Sequence, residues 1–228
     1  IGSVKFSNDG SKLLTSSWKQ KITDIWDTKT GESIFSIDSG SWYPKWSPNE
    51  KSILLGRHGA KIAAIVDIES GESKEFIHDE IIWHNAAIDR SGRKILTFAK
   101  PAPTEPTQNY YIWDINSQII ESKLSHENIL IPETFKKQNF EWKDGNGLGW
   151  NYSVGNFSPD SQFVITVATD QNIRLWDASN GELIESLKIP KLPARDQNPT
   201  FSSDGNRMIF PLRDGTCYLF NFNKNYSK

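Results

Sequence analysis

The stretch FSPDSQFVITVATDQNIRLWDASNGELIESL, residues 157–187, decides the fold. It opens on an aromatic residue and a turn, FSPDS (157–161), and enters an apolar run, FVITVA (163–168). A polar turn follows, then an alternating segment that closes on IRLWD (173–177). A second turn, NGE (180–182), leads into LIESLKI (183–189). Short apolar or alternating runs bounded by Gly, Asn, Asp and Pro predict β-strands joined by hairpins.

The same succession recurs along the chain. The opening marker appears as FSNDG (6–10), WSPNE (46–50), IDRSG (88–92), FSPDS (157–161) and FSSDG (201–205). The closing marker appears as ITDIWD (22–27), IAAIVD (62–67), YYIWD (110–114), IRLWD (173–177) and CYLFN (217–221). Between them an apolar strand always starts six residues after the first marker, at 12, 52, 94, 163 and 207. A fourth strand follows four of the closing markers, across the turns TGE (30–32), SGE (70–72), NSQ (116–118) and NGE (180–182). Gly and Asn there are expected to supply the left-handed backbone of a tight hairpin. Four short strands about every 40 residues predict one blade per repeat.

Residues 157–187 and 6–37 resemble WD repeats, and the resemblance extends over most of the chain, with residues 100–108 and 125–148 outside it. It implies an all-β WD-repeat β-propeller of about five four-stranded blades. One propeller region is expected over 1–228, with repeats near 1–40, 41–80, 81–124, 150–190 and 196–222. The chain starts in a first strand, SVKF (3–6), and ends after a third, CYLFNF (217–222). The expected form is therefore part of a larger, seven-blade-type ring, completed by further chain or a partner, with a closed five-blade ring as the alternative.

The resemblance assigns structural roles to Trp26, Asp27, Trp113, Asp114, Asp170, Trp176 and Asp177. The Trp rings are expected to pack between blades, and the carboxylates after them to accept backbone N–H bonds in the turns. A turn Asp, a His ahead of the first strand, a Ser or Thr and the Trp often form a hydrogen-bonded tetrad in the family. No His stands ahead of Trp150, and Lys19 or Gln20 stands where the first repeat's Asp would be. The tetrad is thus expected to be incomplete in every repeat.

Composition narrows the function. The 26 basic and 28 acidic residues leave a net charge of −2 without a long block of one sign, which argues against a nucleic-acid backbone binder. The single Cys217 cannot form an intrachain disulfide, is expected to pack as a small apolar strand residue, and suits a cytoplasmic protein. No apolar run of membrane-spanning length appears, and the four histidines show no metal-ligand spacing. Neither a cofactor nor a metal is expected. The first strands SVKF, YPKW, NAAI, VGNF and NPTF hold no acid, and only Lys5 and Lys45 are charged, which speaks against hydrolysis by acids in a central channel.

The turns between second and third strands share one end of the blades with the links into the next blade. That end gathers Trp18, Trp42, Tyr43, Arg57, His58, Trp83, Trp142 and Arg213, residue types that anchor protein interfaces. The insertion at 125–149, too apolar for simple disorder, stretches the marker spacing to 69 against 40, 42 and 44 elsewhere. The reading is a non-catalytic scaffold for a protein or peptide. The alternative is a regulatory or sensor propeller of a larger enzyme such as an NTPase or kinase.

Overall fold

The computed structural model describes residues 2–17, 19–41, 43–56, 62–78, 82–99, 108–126, 154–168, 170–189, 191, 199–212 and 214–221, with the backbone alone for 82–85. Among these residues every helix-or-strand element is a strand. The first sheet is β1 (Ser3–Phe6), β2 (Lys12–Ser17), β3 (Ile22–Asp27) and β4 (Ser33–Ile37). The second is β5 (Lys45–Trp46), β6 (Ser52–Gly56), β7 (Ile62–Asp67) and β8 (Ser73–Ile77). The third is β9 (Ile82–Ile88), β10 (Lys94–Ala99), β11 (Gln108–Asp114) and β12 (Ile120–His126). The fourth is β13 (Val154–Phe157), β14 (Phe163–Val167), β15 (Asn172–Asp177) and β16 (Leu183–Lys188). The fifth holds β17 (Thr200–Phe201), β18 (Arg207–Pro211) and β19 (Cys217–Asn221). Strands neighbour one another in chain order in every sheet, four sheets having four strands and the last three. This is the blade of a WD-repeat β-propeller.

The opening marker folds in a definite way. Ser7, Ser47, Ser158 and Ser202 each donate a hydroxyl hydrogen bond to the Asp or Asn two residues on, at 2.7, 2.7, 2.5 and 2.5 Å. Each hydroxyl oxygen also accepts the backbone N–H five residues on, at 2.9–3.0 Å. The side chains thus close the hairpin into the second strand. In the third repeat one buried carboxylate, Asp89, stands in for the serine and its partner, accepting the N–H groups of Arg93 and Lys94 at 2.8 Å each.

Burial falls from the second and third strands outward. Ile53, Leu54 and Leu55 in β6 are covered on both faces, whereas β16 is mostly exposed. A strand covered on both faces must be apolar throughout, and this is why β6, β10 and β14 do not alternate, whereas β18 alternates buried and exposed positions. The chain divides into two compact units, Ile1–Lys100 with Tyr111–Glu121, and Pro101–Tyr110 with Ser122–Lys228. In the first, Leu14, Ile25, Ile53, Leu55 and Val66 form one core cluster, and Leu54, Ile65, Phe76, Ile95 and Trp113 another. In the second, Val154, Ile165, Leu175, Met208 and Phe210 pack together.

Three local expectations need correction. β12 runs to His126, so the insertion begins two residues later than 125. Cys217 lies in a strand as expected but is exposed, because it begins β19, an edge strand of the fifth sheet whose residues alternate between exposed and half-buried. In the NSQ turn the left-handed residue is Gln118, at φ 58°, not Asn116. Its side-chain amide donates to the Glu75 carbonyl at 2.7 Å. Among the described residues no helix is long and apolar enough to cross a membrane.

Candidate functional site

The motif residues first show what the repeat is built to hold. Trp26, Trp113 and Trp176 each donate the indole N–H to a second-strand threonine, Thr15, Thr97 and Thr166, at 2.7–2.8 Å. In the second and fifth repeats the Trp position holds Val66 or Phe220, which has no donor. The position equivalent to the threonine is then Leu55 or Phe210. The two positions change together, as they must, because a buried hydroxyl or indole N–H without its partner is costly. The Trp113 ring also meets Phe76 of the neighbouring sheet edge-on, with centroids 5.8 Å apart.

The aspartates behave as turn residues. Asp27, Asp67, Asp114 and Asp177 each accept the backbone N–H two residues on, at 2.8–3.0 Å. The first three also accept the N–H of the residue after that. For Asp27 and Asp67 these backbone hydrogen bonds are the main reason the carboxyl titrates below its ordinary value. In Asp114 the bonds to Ser117 lead. All four are tied to their own turns, one per sheet, and do not converge.

The expectation of an incomplete tetrad is overturned in the fourth sheet. His126 is fully buried at the end of β12, ahead of the insertion. Its Nε2 lies 2.6 Å from Thr166 Oγ1, the oxygen that also accepts from Trp176 Nε1. Its Nδ1 lies 2.5 Å from Arg174 Nη1, and Arg174 Nη2 reaches Asp170 Oδ2 at 2.6 Å. A guanidinium only donates, so Nδ1 accepts and the ring proton sits on Nε2, facing Thr166. The histidine is therefore neutral. Burial, then the charge of Arg174, drives its pKa well below the ordinary value. Burial alone would raise the Asp170 pKa, but hydrogen bonds from Arg174 and Asn172 outweigh that and hold the carboxylate ionised. His–Thr–Trp and the Asp are thus all present, with Arg174 inserted as a link between Asp and His. A second histidine, His78, follows β8 and lies tilted against Tyr111, ring centroids 4.0 Å apart, with Trp113 edge-on at 6.0 Å.

Sequence reading missed His126 because it sought the histidine just before the first strand. Here residues 127–153 separate the two. Counting forward would have found it: His78 stands 11 residues past Asp67 (78 − 67), and His126 stands 12 past Asp114 (126 − 114).

Of the expected partner-binding residues, Tyr43 is half-buried just before β5. Trp83 lies in β9, its backbone paired opposite Phe98. Trp18, Trp42, Arg57, His58, Trp142 and Arg213 lie outside the described residues. At the other end of the first unit, the opening turns of the second and third sheets border a cleft of about 330 Å³ lined by Pro48, Asn49, Ile65, Arg90 and Ile115.

Meander sheets that repeat with a Trp-Asp pair closing the third strand, and with an indole bonded to a second-strand threonine, define a β-propeller repeat protein. The family described as "WD domain, G-beta repeat" matches residues 152–177, the fourth repeat. The fourth repeat is thus a WD repeat, and the other sheets follow the same meander plan. It is similar to nuclear distribution protein nudF of Aspergillus niger, 26% identical over 79% of this chain and 40% of that protein. It is also similar to protein tipD of Dictyostelium discoideum, 25% identical over 82% of this chain and 34% of that one. Subunit I of eukaryotic translation initiation factor 3 from Aspergillus oryzae is 22% identical over 96% of this chain and 61% of its own length. The chain thus spans less than two thirds of these relatives.

Proposed function

We propose that the protein is a non-catalytic scaffold that holds a protein or peptide on the end of its blades where the second-to-third-strand turns meet the links between blades. One observation carries this reading most: the motif side chains are committed to their own sheets. Each Asp of the Trp-Asp positions is bound within its turn, and each motif Trp is bonded to its threonine. What varies between repeats is the length of sequence between strands, above all the stretch after His126, and loops on a rigid frame are the usual carriers of binding. A similar protein named as a subunit of an initiation factor fits the same role.

The candidate contact residues are Trp18, Trp42, Tyr43, Arg57, His58, Trp83, Trp142 and Arg213. Trp and Arg truncations at the centre of an interface commonly cost about 2 kcal/mol or more, some thirtyfold in affinity. Partners captured by cross-linking the intact protein in its native cells would be compared with those of a Trp18→Ala/Arg57→Ala variant and of a variant lacking 128–148. Loss of the same partner from both, with circular dichroism unchanged, is the expected result. Undiminished capture by both would remove this end of the blades as the binding surface.

A further inference from the structure

Lys5 and Lys45 hold the same place in successive sheets. Each lies in the first strand, Lys5 opposite Leu14 in β1 and β2, Lys45 opposite Leu54 in β5 and β6. Leu14 and Leu54 are buried, so both lysines start from a backbone packed on core. The two strands are close: the Trp46 indole N–H reaches the Lys5 carbonyl at 3.4 Å. Both lysines are half-buried, neither exposed like the lysines of the outer strands nor shut away.

Among the described residues no carboxylate answers them. Among the described residues neither ammonium has an ion pair or a side-chain hydrogen bond, and none of the five first strands carries an acid. Elsewhere the chain pairs lysines readily, as with Lys94 and Glu121 at 2.9 Å or Lys191 and Asp214. Two half-buried like charges on neighbouring first strands, without a counter-charge among the described residues, are unfavourable unless something supplies one.

We propose that Lys5 and Lys45 form an anion site on the first-strand edge of the first two sheets, and that its ligand is an oxyanion, a carboxylate or a phosphate group, received between the two ammoniums. Lysine suits this role because it offers a compact charge with three donors and imposes little geometry on the anion. The two lysines show the expected electrostatic signature. Burial, followed by the charge of Lys5, lowers the Lys45 pKa to about 7, and burial lowers that of Lys5. The site is independent of the loop end described above, so either reading can fail without the other.

The test follows the side-chain methylene resonances of both lysines by NMR in protein carrying ¹³C-labelled lysine. Inorganic phosphate and, separately, a triglutamate peptide are titrated in at constant ionic strength. Saturable shifts of both lysines, with the Lys45 pKa rising on saturation, are expected from at least one probe. Response to phosphate alone identifies a phosphate ligand, and response to the peptide alone a carboxylate. Lys5→Met should weaken the response of Lys45 by at least about tenfold, while Lys74→Met, on the exposed outer strand β8, should leave it unchanged. Shifts that never saturate with either probe, or that survive Lys5→Met at full strength, would overturn the proposal.

Discussion

Gly31 and Gly181 share one backbone conformation, φ 75°, at the same turn of two different sheets. Their surroundings differ. A Cβ built on Gly31 meets nothing within 4 Å, but one on Gly181 comes within 2.8 Å of Ser122 Cβ and 3.2 Å of Leu124 Cδ2. Gly31→Ala should therefore cost only the left-handed penalty, about 1–2 kcal/mol. Gly181→Ala should cost clearly more, and urea denaturation of the pair decides it: equal losses would show that the fourth sheet yields freely toward Ser122. The glycine in TGE, SGE and NGE was legible in the sequence because a tight turn demands it. That Gln118 adopts the same backbone in the NSQ turn was not, since its compensation is a bond to Glu75, 43 residues away.

Within a single sheet, the threonine and tryptophan act as a unit whose partners differ from repeat to repeat. Thr15 has Trp26, whereas Thr166 has both Trp176 and His126. Thr166→Val leaves two buried donors unsatisfied, at about 1–3 kcal/mol each, and Thr15→Val one. Thermal or urea unfolding should rank the losses in that order. The histidine adds a pH dependence. The unfolded chain takes up a proton on His126 near pH 6.5, while the folded chain resists it. Between that pH and the lower pKa of the folded state the unfolded chain binds more protons, so stability falls as pH drops below about 6.5, by at most about 1.4 kcal/mol per pH unit. His126→Gln should flatten that part of the profile measured by urea unfolding. An unaltered slope would mean that other groups produce it. The strands themselves were readable from periodicity and turn residues, and so were the Trp and Asp positions. The His–Arg–Asp link was not, because Arg174 reads as an ordinary polar residue of an alternating strand until the fold brings β12 beside β15.

For the molecule as a whole, five repeats make one architecture out of two kinds of interior. Three repeats lock the second and third strands with an indole-to-hydroxyl bond, and two do so with Leu55 and Val66 or Phe210 and Phe220. Converting one kind into the other needs both changes together. Leu55→Thr alone buries a hydroxyl opposite alkane and should destabilise by about 1–3 kcal/mol, whereas Leu55→Thr with Val66→Trp tests whether the bond can be transplanted. A double-mutant cycle read by urea unfolding should show favourable coupling, and additive losses would refute the idea that the pair is an exchangeable part. The same logic bears on His126. Held on one side by Thr166 and on the other through Arg174 to Asp170, it moors the chain at the point where β12 ends. Whatever is spliced in beyond that mooring, long or short, pulls against a fixed post rather than on the strand, so new loops can be grafted there without disturbing the register of the sheet beneath.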